Sequence, residues 1–194
     1  MVGISAGGRT AVTTAARHPD LVQRLILESS VAFLPWPERS LRLGAHLAFP
    51  ALAEKATWSA VRTLLRLNPT IGLRTMLGGL STEPIDAVLA ALSDGDRATL
   101  IALFSTMRSG RGFLNDLHHV PDATSQVTQP TLIIASRKDG AVPFAHAQSL
   151  AAGIAHAEQI VSDADTHFIW FAHDYPAIAD KITSFLAADP VVRG

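Results

Sequence analysis

Cysteine is absent from the 194 residues. Its absence removes disulfides, thiolate catalysis and cysteine metal sites together, and it fits a cytoplasmic protein. Charge is sparse as well: 17% of residues are charged, against about 25% in average soluble chains. Sixteen basic residues face seventeen acidic ones for a net charge of −1. With no run of like charges there is no electrostatic footprint for a nucleic-acid partner. No stretch reaches the roughly 18 uncharged apolar residues of a membrane span. The greasiest region, Leu41 to Leu52, is interrupted by Arg42, His46 and Pro50. The N-terminus lacks the basic start and apolar run of a signal peptide. Internal repeats and low-complexity segments are missing too.

What is there is apolar. Hydrophobic residues make up 48% of the chain and mean hydropathy is +0.24. A sizeable core follows, and disorder is excluded as the main description. At about 150 residues per domain the length predicts about 1.3 domains, read as one domain plus an insertion.

Three segments read as strands. Arg24 to Ser29 and Thr131 to Ser136 have continuous apolar centres, the second preceded by the breaker Pro130; Glu158 to Val161 is weaker. Runs of this length suit parallel strands covered on both faces. Met1 and Val2 read as the tail of a fourth. Helical patterns lie between them. Gly7 to Arg17 stops before His18-Pro19, where proline disfavours continuation. Ile85, Val88, Leu89 and Leu92 follow helical spacing, as do Leu100, Leu103, Phe104 and Met107. Pro143 opens a segment burying Ala147, Leu150, Ala151 and Ile154. Ile178, Ile182, Phe185 and Leu186 mark a last helix. The alternation predicts an α/β fold with a parallel sheet and flanking helices. Residues 32–126 hold no convincing strand. They read as a helical cap or insertion between two parts of an α/β core, 1–31 and 127–194.

The sharpest local signal is Gly3-Ile4-Ser5-Ala6-Gly7-Gly8, between a strand tail and a helix. A chain turning that sharply needs small neighbours at −2 and +2, which places Gly3 and Gly7 around Ser5. The serine hydroxyl then stands at a helix N-terminus, where N–H groups favour developing negative charge. The Ala6 N–H is the candidate oxyanion donor. The spacing does not match Gly-x-Gly-x-x-Gly, and no Gly-Lys-Ser/Thr follows, so dinucleotide and P-loop readings fit worse.

A serine needs a base, and a histidine base needs an orienting carboxylate. Asp139 lies just past Thr131–Ser136, and His167 lies past the weaker strand. In a parallel sheet the loops after the strands share one edge, so Ser5, Asp139 and His167 can converge there. Glu28 is an alternative acid and His173 a rival base. Asp163 and Asp165 are read as shaping the histidine loop. His118-His119 could suggest a metal, but matching ligand spacing is missing. Trp36, Phe49, Trp58, Phe104 and Met107 are read mainly as core, with an acyl pocket as the second use.

These motifs together resemble those of the α/β-hydrolase fold family, in its soluble esterase and lipase-like branch. Gly3 to Gly8 resembles the nucleophile elbow. His18-Pro19-Asp20-Leu21-Val22 with Leu25-Ile26-Leu27 resembles the following helix end and strand. Pro130 to Ile134, with Asp139 and Val142-Pro143, resembles the acid strand and loop, and Thr166-His167-Phe168 the histidine loop. The likeness spans about residues 1–31 and 127–188. It implies a Ser-His-Asp catalytic triad of Ser5, His167 and Asp139, with no cofactor and no metal. It also implies a small or medium apolar ester, or a related carbonyl compound, as substrate. A serine at the elbow argues against the dehalogenase and epoxide-hydrolase relatives, which use aspartate there. The family has a further N-terminal portion, with several strands and a loop supplying a second oxyanion N–H, so the chain resembles a C-terminal part of such a protein. The open sheet edge this leaves raises the expectation of a homo-oligomer. The alternative reading is a non-catalytic, hydrolase-like binding or assembly module.

Overall fold

The computed structural model describes residues 1–36, 51–108 and 120–188. Four parallel strands form one sheet in the order β1 (Val2–Ile4), β2 (Leu25–Glu28), β3 (Thr131–Ser136), β4 (Ala157–Ser162). The register pairs Ile4 with Glu28, Glu28 with Ile134, and Ile134 with Ile160. The strand ends are therefore aligned, and the loops that follow them open on one edge.

Strand side chains alternate between faces, and the core divides accordingly. Leu25, Leu27, Ile133 and Ala135 pack on one face. They meet Ala11, Val12 and Ala15 of α1 (Gly8–Arg17) and Ala147 and Leu150 of α6 (Ala145–Gly153). Ile26, Leu132 and Ile134 point the other way, against Ile169 and Ile178, the latter on α7 (Tyr175–Ala187). β2 and β3 are buried along their whole length. That explains their uninterrupted apolar runs, since a strand covered on both faces has no solvent side to alternate toward. β4 is an edge and shows it, with Val161 exposed.

Between β2 and β3, the described residues form four helices: α2 (Ala51–Leu67), α3 (Pro69–Leu77), α4 (Ile85–Ala91) and α5 (Asp94–Thr106). Asn68 caps α3 by accepting from the Ile71 N–H, with Pro69 as its first residue. Ser93 and Asp96 form a reciprocal capping box on α5. Both devices satisfy N–H groups that a helix start leaves unpaired. These helices bury a separate apolar cluster of Leu65, Leu73, Leu77, Val88, Leu89, Leu100 and Phe104. Phe168 and Phe171 of the loop after β4 pack onto it.

Boundaries differ slightly from the sequence expectation. The first helix begins at Gly8, after a single 3-10 turn over Ser5–Gly7, and the segment after Pro143 becomes helical at Ala145. The weak strand is longer than expected and covers Ala157–Ser162. Its six-residue ladder with the fully buried β3 is long-range pairing that local periodicity does not encode.

Candidate active site

Ser5 leaves β1 with φ of 52°. A residue with a Cβ enters this left-handed region at a cost, so the surroundings must hold it there. They do so by hydrogen bonds and close packing. The Ser5 carbonyl accepts from the N–H groups of Val31, at 2.9 Å, and Gly8. A methyl group at Gly3 would stand 2.6 Å from Ala11 Cβ, and one at Gly8 2.7 Å from Ser30 Cβ. At Gly7 nothing lies within 4 Å. The spacing around Ser5 predicts the second tight contact at Gly7; the structure puts it at Gly8, where α1 crosses the Ser30–Val31 backbone. Ser5 and Ala6 are half-buried, at the turn that leads into α1.

Asp139 sits three residues past β3 and is 3% exposed. Its Oδ1 accepts from the N–H groups of Ala141 and Val142, each at 2.8 Å. Its Oδ2 meets Nδ1 of His167 at 2.7 Å. His167 follows β4 and is 5% exposed. A carboxylate only accepts, so Nδ1 is the donor in this contact and Nε2 is the ring nitrogen left for another partner. The expected acid and histidine loops are thus brought together, on the edge where Ser5 emerges. Among the described residues no hydrogen bond joins Ser5 to His167.

The other titratable residues take different places. Burial pushes the Glu28 carboxyl up, and the Trp170 indole N–H donating to Oε2 at 2.9 Å partly offsets it. Glu28 therefore faces Trp170 and not a histidine. His173 is a surface residue 3.6 Å from the Asp163 carboxylate. Asp165 pairs with Lys138 at 2.6 Å. Phe49, His118 and His119 lie outside the described residues. Trp36, Trp58 and Phe104 are buried. A cavity of about 450 Å³ lies between α4 and the loop after β4, with Val88, Leu92, Phe168 and Trp170 in its wall and none of Ser5, Asp139 or His167.

Several residues shape the site in ways the sequence did not indicate, although Trp36 was expected in the core or an acyl pocket and is buried. Ser29, at φ of 45°, donates its hydroxyl to the His167 carbonyl at 2.9 Å. The Trp36 indole donates to the Ala141 carbonyl at 2.7 Å and packs with Val31, Val142 and Ala6. Arg9 donates to the carbonyls of Ala32 and Leu34 at 2.8 Å each, and Nδ1 of His146 accepts from the Ala32 N–H at 3.1 Å. Burial, with the nearby Arg9 charge, lowers the His146 pKa to about 4, so this ring is neutral near pH 7. A Ser-Ser pair directly after an apolar strand was the one available hint for Ser29. The rest are tertiary contacts across more than a hundred residues or between segments of no motif.

A family model described as the alpha/beta hydrolase fold matches residues 1–174. An uncharacterized hydrolase of Bacillus subtilis, YcgS, is 28% identical over 192 residues, which is 96% of this chain and 67% of that protein. Among solved structures, an alpha/beta hydrolase fold protein from Nakamurella multipartita superposes with a TM-score of 0.69 at 23% identity, covering 95% of this chain and 67% of that one. An esterase from Exiguobacterium antarcticum does so with a TM-score of 0.61 at 17% identity, covering 96% and 66%. The chain spans about two thirds of the length of each of these relatives.

Proposed function

The chain belongs to the α/β-hydrolase fold family of hydrolases, and from that premise we propose that it is a serine hydrolase acting on small or medium apolar esters or related carbonyl compounds. Ser5 is the nucleophile, His167 the general base, Asp139 the acid that orients His167, and the Ala6 N–H an oxyanion donor. The observation that carries this reading is the buried 2.7 Å contact of His167 Nδ1 with Asp139 Oδ2 on the strand edge where Ser5 turns. With Nδ1–H held by the carboxylate, Nε2 accepts the Ser5 proton as Oγ attacks the carbonyl carbon. The oxygen of the resulting tetrahedral species takes the negative charge and accepts from the Ala6 N–H. Protonated His167 returns its proton to the departing alcohol. Water then attacks the acyl-serine with His167 again as base, and Ser5 regains its proton.

A further assignment belongs to the same proposal: a core drawn from 1–31 and 127–194, and a cap drawn from 32–126, supported by the separate apolar cluster of the described helices α2 to α5. Val2 and Ile4 stand 52% and 43% exposed, and among the described residues β1 pairs with β2 alone.

A serine-reactive fluorophosphonate tests the chemistry. Labelling abolished by Ser5→Ala supports the reading, together with hydrolysis of short p-nitrophenyl esters by the unmodified chain. A folded protein that takes no label and cleaves no ester speaks for a non-catalytic module instead.

A further inference from the structure

Four consecutive residues between α3 and α4 reach out of the helical region and touch both loops that carry the buried pair. The Leu80 carbonyl accepts from the His167 N–H at 2.7 Å. Ser81 pairs with Asp139 as an isolated antiparallel bridge, and the Thr82 N–H donates to the Lys138 carbonyl at 2.9 Å. The Ser81 hydroxyl donates to the Asp165 carbonyl and accepts from the Glu83 N–H, the second contact at 2.9 Å. Contact with the acid loop is close enough that a methyl group at Gly140 would stand 2.6 Å from the Ser81 carbonyl oxygen.

On the proposed assignment of His167 and Asp139, we infer that Leu80–Glu83 is a strap that sets their relative placement, with Ser81 as a positioning residue. The peptide of His167 is held from two sides. Ser29 takes its carbonyl from the core, and Leu80 takes its N–H from the helical region. Without the second hold, His167 can pivot on the first and on its own side-chain contact. Lys138 also bridges the segments, to Asp165 at 2.6 Å and Glu83 at 3.9 Å. That cluster is about 40% exposed, where ion pairs contribute little. The directional bonds therefore do the holding: the Leu80 and Thr82 backbone contacts, joined by the Ser81 hydroxyl. The Ser81 side chain is half-buried. It ties the strap to the histidine loop at Asp165 and, by accepting from the Glu83 N–H, closes a turn within the strap itself.

A small misplacement of a proton-transfer group costs up to about a hundredfold in rate. Ser81→Ala is accordingly expected to slow fluorophosphonate labelling of Ser5, and to lower kcat for an ester, by about ten- to a hundredfold with KM nearly unchanged. Ser81→Thr, which keeps the hydroxyl, recovers most of it. The downfield proton resonance of His167 Nδ1–H moves upfield and broadens in Ser81→Ala and returns in Ser81→Thr. Ser93→Ala is the control: it removes the cap of α5 and leaves the strap untouched. Equal slowing in Ser81→Ala and Ser93→Ala, or an unchanged rate and resonance in folded Ser81→Ala, overturns the strap. If the unmodified chain takes no label, the hydrolase reading fails on its own and the resonance alone decides the strap.

Discussion

A Cβ placed on Gly3 would lie 2.6 Å from the Cβ of Ala11, which leaves no room for a side chain where β1 passes α1. The same measure gives 2.7 Å from Ser30 Cβ at Gly8 and open space at Gly7. Gly3→Ala and Gly8→Ala are expected to destabilise by about 1–3 kcal/mol each, the usual cost of overpacking. Gly7, with φ of −67°, accepts alanine without strain. Gly7→Ala is expected to change stability by no more than about 0.5 kcal/mol. Chemical denaturation of the three variants checks the ranking, and a Gly7→Ala loss as large as the others contradicts it.

Asp139 presents one oxygen to two backbone N–H groups and the other to His167. Asp139→Asn keeps the shape but can put an NH2 group against Nδ1, which selects the wrong tautomer of the ring. In a studied serine protease the equivalent exchange costs about 10⁴-fold in kcat. A loss of that order in fluorophosphonate labelling is expected here, with the fold intact by circular dichroism. Near-normal labelling of Asp139→Asn removes Asp139 from the mechanism.

His146 gives a pH dependence of stability. Its pKa falls from 6.5 to about 4 on folding, so between those values the unfolded chain binds the extra proton. Stability is then complete above about pH 6.5 and is lost as pH falls toward 4, by at most about 3 kcal/mol. His146→Asn, which can still accept from the Ala32 N–H, is expected to flatten the loss between pH 6.5 and 4. Urea titrations at pH 7, 5.5 and 4.5 measure it, and parallel curves for the two proteins exclude His146 as the source.

Glu28 is buried, with its carboxyl pKa raised by that burial. The folded state therefore holds this proton more tightly than the unfolded chain does, and stability is lost as pH rises from the ordinary carboxylate range through the raised folded value. Glu28→Gln keeps an acceptor for the Trp170 N–H and removes the charge. At pH 7 it is expected to raise the melting temperature and leave labelling of Ser5 unaltered. A large drop in labelling would move Glu28 into the catalytic machinery.

Much of the core was legible because its signals are local. Leu25–Glu28 and Thr131–Ser136 are short apolar runs after a charged residue or a proline, and burial on both faces is what such runs are for. The turn at Gly3 to Gly8 was legible because a small-residue pattern reports backbone crowding directly, although it named Gly7 where Gly8 carries the contact. Ser5, Asp139 and His167 could be singled out from their positions after strands, since parallel connectivity sends every such loop to one edge.

Which side chains meet across that edge was a different matter. The chain has eight histidines. A place after a strand marked out His167, but nothing local foretold that His146 is buried beside Arg9 with its pKa depressed. Ser29, Trp36 and Ser81 sit in stretches with no motif, yet they hold the backbone of the histidine and acid loops. The physical reason is range. Periodicity and glycine spacing record what each residue does to its near neighbours, so the sequence by itself determined the strands, the helices and the edge they share. Burial, hydrogen-bond partner and pKa depend on groups brought close from far along the chain, and only the tertiary structure decided those.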